Sequence, residues 1–142
     1  MSFPFFYQEV ITDQTPITLS EETSKHVTQV LRMKAGEQLQ LTDGKGKIVT
    51  AEISQEHKKH TEVKVRSTSF SDHYKSKITI AISLIKNTNR FEWFLEKATE
   101  IGVSEIIPLI CERTEKQSFR HDRLKNILIS AMLQSQQAWL PV

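Results

Sequence analysis

Two apolar runs, Ile78 to Leu84 and Ile106 to Ile110, stand on either side of a segment patterned for a helix. Within that segment Phe91, Phe94, Leu95, Ala98 and Ile101 recur at the spacing of one helix face. Gly102 follows where a left-handed residue would stop the helix. Strand, crossover helix and strand make a βαβ unit, which sets the two strands parallel. Nearly continuous, β-branched runs of this kind suit strands covered on both faces. One more helix follows, with Leu124, Ile127, Leu128 and Ala131 on its apolar side. Two parallel strands are too few for a stable layer, so the second half reads as an unfinished α/β sheet. Trp139-Leu140-Pro141-Val142 breaks the last helix and is placed to begin another strand.

The first half is patterned differently. Phe5 to Val10 reads as a short strand. Ser20 is placed to cap a short helix, with Glu21 and Glu22 in the first turn, where the helix dipole favours anions. Val27, Val30 and Leu31 form its expected apolar stripe, and Lys34-Ala35-Gly36 its end, with Gly36 as the left-handed cap. Leu39 and Leu41, then Val49, Ala51 and Ile53, alternate with polar residues as half-buried strands do. Asp43-Gly44-Lys45-Gly46 joins them as a hairpin turn, because Asp and Gly accept positive φ. A polar tip from Glu56 to His60 leads into a further strand, Thr61 to Arg66. Several short antiparallel strands in this half predict a small barrel or open roll. The polar stretch 67–77 carries the boundary. The expected organisation is α+β overall: a β-barrel over residues 1–72, then the first part of an α/β domain over residues 73–142.

Charge divides the same way. The net charge of the 142 residues is +2. Residues 1–72 hold nine Lys/Arg against ten Asp/Glu, and residues 73–142 hold ten against seven. The excess in the second half fits contact with a polyanion and equally fits ordinary surface charge. Cys111 is the single cysteine, which excludes an internal disulfide or a cysteine metal cluster and points to a reducing compartment. The opening residues lack the basic and apolar regions of a secretory leader, and no apolar run is long enough to span a bilayer. A cytoplasmic location is expected.

Several short motifs invite a chemical reading. His57 and His60 have a metal-like spacing, but they sit in a lysine-rich tip with no ligand pair nearby, and a solvated turn is the better reading. Asp43 to Gly46 lacks the spacing and the following helix of a phosphate-binding loop. Cys111 has no evident activating base. Glu92, Glu96 and Glu100 share a helix face, as solvated carboxylates commonly do. The basic residues are more informative. Lys86 and Arg90 follow the first apolar strand, and Arg113, Lys116, Arg120 and Arg123 follow the second. In a parallel sheet both loops leave the same edge, the edge where ligands bind in open α/β sheets. Six cations converging there would contact phosphates, although a solvated charged rim accounts for the pattern equally well.

Taken in order, His26-Val27, Val30-Leu31-Arg32, Lys34-Ala35-Gly36, Asp43-Gly44, Lys86, Lys97-Ala98-Thr99-Glu100-Ile101-Gly102-Val103, Pro108, Arg113-Thr114 and Gln134-Ser135 resemble the RsmE-type 16S ribosomal RNA (uracil-N3) methyltransferases. The resemblance runs the length of the chain, with the Lys97–Val103 run its most specific part. It differs in having no basic residue before Lys25, and in Gln136 and Gln137 where the family commonly places a basic residue. The resemblance implies a PUA-like β-barrel that helps hold RNA, followed by a knotted SPOUT methyltransferase domain working as a homodimer. It implies transfer of a methyl group from S-adenosylmethionine to N3 of a uridine in 16S rRNA. Arg32, Lys34, Lys86, Arg90, Arg113, Lys116, Arg120 and Arg123 become the candidate RNA contacts. No metal and no membrane are implied. The family's cofactor loops and knot have no counterpart here, so the chain is expected to be an amino-terminal part that neither binds the methyl donor nor methylates RNA by itself. The alternative expectation is a non-enzymatic RNA-binding or ribosome-assembly module.

Overall fold

The computed structural model describes residues 3–73 and 75–142. In order they form β1 (Phe5–Tyr7), β2 (Ile17–Thr18), α1 (Glu21–Lys25), a π-helical turn (His26–Val30), β3 (Gln38–Thr42), β4 (Lys47–Gln55), β5 (Glu62–Phe70), β6 (Thr79–Ser83), α2 (Thr88–Ile101), β7 (Glu105–Leu109) and α3 (His121–Gln134). The chain divides into two compact units, Met1–Asp72 and His73–Val142.

The first unit is a curled sheet of order β1-β3-β4-β5-β2. The expected alternation holds: Leu39, Leu41, Val49, Ala51, Ile53 and Val63 all point inward and are buried. Register shifts between Thr50 and Ala51 and between Ile53 and Gln55 interrupt the β4–β5 ladder, and bulges of this kind bend and twist a strand pair. The Asp43 turn forms as expected: Asp43 Oδ1 accepts from the backbone N–H groups of Lys45 and Lys47, and Gly44 and Gly46 take positive φ. Two strands differ from expectation. β1 is shorter than Phe5–Val10 and runs parallel to β3. β2, two residues on the edge of β5, is too short for an alternation to reveal it.

The first helix also departs from its pattern. Ser20 caps it by accepting from Thr23 N–H, as expected. After Lys25 the turn widens: Leu31 N–H donates to His26 O, and Met33 N–H donates to Val27 O. This extra width breaks the 3.6-residue period. Val27 and Met33 enter the core, while Val30 and Leu31 are 67% and 41% exposed. The expected stripe of Val27, Val30 and Leu31 is therefore replaced by Val27 and Met33. Arg32 ends the helix at φ +53. Gly36, expected to be the cap, instead turns the chain into β3 at φ +95, donating to Ile53 O.

In the second unit β6 and β7 pair in parallel, Thr79 with Glu105 through Ser83 with Leu109. Phe91, Leu95 and Ala98 of α2 and Leu124 of α3 cover one side together with Val103 and Ile106. The other side carries the exposed Ala81, Ile107 and Leu109, so these strands are not covered on both faces as their apolar runs suggested. Ile101 is likewise exposed at the end of α2, and Thr99, which donates to Leu95 O, takes the buried position. Asn87 caps α2 by accepting from Arg90 N–H. Gly102 stops the helix at φ +99, as expected. Arg120 occupies the cap position of α3. Val142 donates to Ser104 O and accepts from Ile106 N–H, the pattern of a parallel neighbour on the free edge of β7.

Candidate nucleic-acid interface

The loops after β6 and β7 are tied together by side chains. Thr114 Oγ1 lies 2.8 Å from Ser83 Oγ and accepts from Cys111 N–H, also at 2.8 Å. Lys116 Nζ donates to Thr88 Oγ1 at 3.0 Å, and Lys86 Nζ stands 3.4 Å from Glu115 Oε2. The carboxyl ends of the two strands therefore open into one neighbourhood. The cations there differ in availability. Lys86 is compensated by Glu115. Arg123 holds Glu92 through two hydrogen bonds, which lower the Glu92 carboxyl pKa and raise that of the guanidinium. Arg90, Arg113 and Arg120 are exposed and carry no ion pair among the described residues.

A groove of about 390 Å³ lies among these elements, with Leu84, Ile85 and Phe119 as its apolar wall and Lys116, Arg120 and Arg123 as its cations. A wider groove of about 550 Å³ runs between α2 and α3, where Glu92 and Glu96 oppose Arg120 and Arg123. An apolar wall beside guanidinium and ammonium groups suits a base and its phosphate. Arg32 and Lys34 belong to the first unit, where Arg32 is exposed and Lys34 Nζ is 3.2 Å from Glu56. Sequence reasoning names Thr114 and Gln137 only within the family resemblance and gives neither a structural role: the Thr114 hydroxyl joins the two strand ends, and Gln137 Nε2 donates to Glu100 O at the end of α2. A Thr after a strand or a Gln after a helix carries no signal of such a role. His57 and His60 stack at 5.4 Å, with His57 Nδ1 accepting from the N–H groups of Lys59 and His60. The pair organises the turn. Among the described residues no group of three or more His, Cys, Asp or Glu gathers as a metal site.

Residues 72–142 match the family model of the RNA methyltransferase domain, and residues 19–66 match that of the RNA methyltransferase PUA domain. The chain belongs to the RsmE-type family of ribosomal RNA methyltransferases. It is 28% identical over 133 residues to the ribosomal RNA small subunit methyltransferase E of Rickettsia conorii, covering 93% of this chain and 54% of that protein. A probable rRNA methyltransferase from Porphyromonas gingivalis superposes with a TM-score of 0.90 at 38% identity, covering 98% of this chain and 58% of that one. The small subunit methyltransferase E of Neisseria gonorrhoeae, solved bound to S-adenosyl methionine, superposes with a TM-score of 0.85 at 30% identity, covering 98% and 59%. The 142 residues thus span a little over half the length of these relatives. The fold is α+β, a curled half-barrel sheet followed by SPOUT-type α/β structure.

An adenosine needs an enclosed, largely apolar slot, and the wider groove, which gathers Glu92, Glu96 and Asp122 with Arg120 and Arg123, is not one; the narrower groove is more apolar and carries Glu92 beside Lys116, Arg120 and Arg123.

Proposed function

We propose that the protein bearing this chain methylates N3 of a uridine in 16S rRNA with S-adenosylmethionine, as a cytoplasmic homodimer. These 142 residues supply the RNA grip. They comprise a PUA-like unit over 1–72 and the opening of the SPOUT domain over 73–142. The observation that supports this best is the likeness, across 98% of the chain, to a probable rRNA methyltransferase. The exposed Arg90, Arg113 and Arg120 at the joined strand ends suit phosphate contacts, with Lys86, Lys116 and Arg123 supporting them, and Arg32 and Lys34 add a second set. Among the described residues no helix is long and apolar enough to cross a membrane.

Deleting the gene should remove N3-methyluridine from the 16S rRNA of the source cell, read by nucleoside mass spectrometry; an unchanged level rejects the reaction. The 142-residue chain itself should give no heat with S-adenosylmethionine in titration calorimetry. Micromolar binding would place the cofactor site within these residues and overturn the division of labour proposed here.

A further inference from the structure

We propose that the π-helical turn ending at Arg32 is a docking site for one unpaired RNA nucleotide. The inference deepens the RNA-binding reading above and rests on it. Three features of the first unit meet there. The first is the turn itself. π-helical turns are rare and concentrate at functional sites. Closing the bond from Leu31 N–H to His26 O brings residue 31 nearly above residue 26, where an α-helix would rotate it to another face. Val30 stands beside it. The second feature is aromatic: the His26 ring is exposed, and Phe6 meets it edge-on at 5.7 Å and 71°, holding the imidazole in one orientation.

The third feature is Arg32, the residue directly after this shelf. It sits at φ +53, a conformation that helix ends normally assign to glycine. A non-glycine residue there is disfavoured, because its Cβ crowds the following carbonyl oxygen. The side chain kept at that cost is a cation without an ion pair among the described residues, beside apolar groups left in water. The buried alternatives were available to the fold, since Val27 and Met33 already fill the core side of the same turn. An exposed ring, an apolar shelf and an adjoining guanidinium are what a base, its ribose and its phosphate require. Lys34, next but one, is paired with Glu56, so it is the charge of Arg32, without an ion pair among the described residues, that favours a polyanion over an apolar protein segment.

Binding of a fluorescent octauridine to the 142-residue chain, measured by anisotropy across salt concentrations, tests this. His26→Ala should weaken binding about tenfold, as lost stacking does, with an unchanged salt slope. His26→Phe should restore it. Arg32→Gly should weaken binding and reduce the slope by about 0.7, one phosphate contact on a single strand. Because glycine accepts the backbone conformation, Arg32→Gly should melt no lower than the parent, so a loss of binding cannot be ascribed to unfolding. If these variants bind like the parent while Arg113→Ala/Arg120→Ala does not, the RNA reading stands and this site is rejected. A parent chain that binds no RNA rejects both. Self-association lost in Leu31→Asp, with RNA affinity unchanged, would identify a protein contact and overturn the proposal.

Discussion

Single buried hydrogen bonds fix the parts of this chain that its pattern leaves open. Ser24 is fully buried in α1; its Oγ accepts from Thr61 N–H at 3.0 Å, and Thr61 Oγ1 in turn donates to His57 O. Ser24→Ala would strand the Thr61 N–H, which costs about 1–3 kcal/mol. Urea unfolding of the first unit should show that loss, and an unchanged midpoint would mean the N–H has another partner. Glu92 gives a second residue-scale expectation. Its carboxyl pKa is lowered, chiefly by the hydrogen bond from Arg123. The carboxylate therefore contributes stability above its unfolded value, and that contribution fades as pH falls through the lowered folded value. The difference in melting between the parent and Glu92→Gln should be present at neutral pH and vanish in acid; a constant difference would show that packing is responsible. Neither residue was singled out correctly by pattern. Ser24 draws no reading from its pattern, and Glu92 reads as one of three solvated carboxylates. Their roles depend on partners 37 and 31 positions away, which periodicity does not reveal.

At the level of elements, regular periods were legible and irregular ones were not. The alternation of β3 and β4, the Asp43 turn, the βαβ order and the Gly102 stop all follow from local chemistry. The α1 stripe failed because a helix was assumed to keep 3.6 residues per turn, and the strands β6 and β7 failed as fully covered elements because an apolar run does not say what covers it. Three cap-competent residues in a row, Asn87, Thr88 and Asn89, leave the start of α2 open on pattern alone. The loops after β6 and β7 were placed together correctly from the parallel topology, and the Ser83–Thr114 and Lys116–Thr88 contacts bear that out. If these loops grip RNA, Arg113→Ala/Arg120→Ala should flatten the salt dependence of RNA binding by about 1.4 in log–log slope. A slope that does not change excludes both as phosphate contacts.

The two units differ in how their cores are finished. The first gathers a buried apolar core within a five-stranded curled sheet, whereas the second leaves one side of a two-stranded sheet exposed. Native-state hydrogen exchange should therefore find the slowest amides in β3 and β4, and faster exchange throughout β6 and β7. Equal protection would mean that the second unit is stable in its own right. Family membership was legible across the whole chain because glycines, caps and charged loops recur in order. The π-helical turn has a consequence for how this lineage tolerates gaps. A widened turn carries one residue more than a regular helix needs, so removing Gln29 should let the backbone close into an ordinary α-turn with Met33 still seated. Alignments would then show a one-residue indel at this point, carried by members whose first unit folds normally.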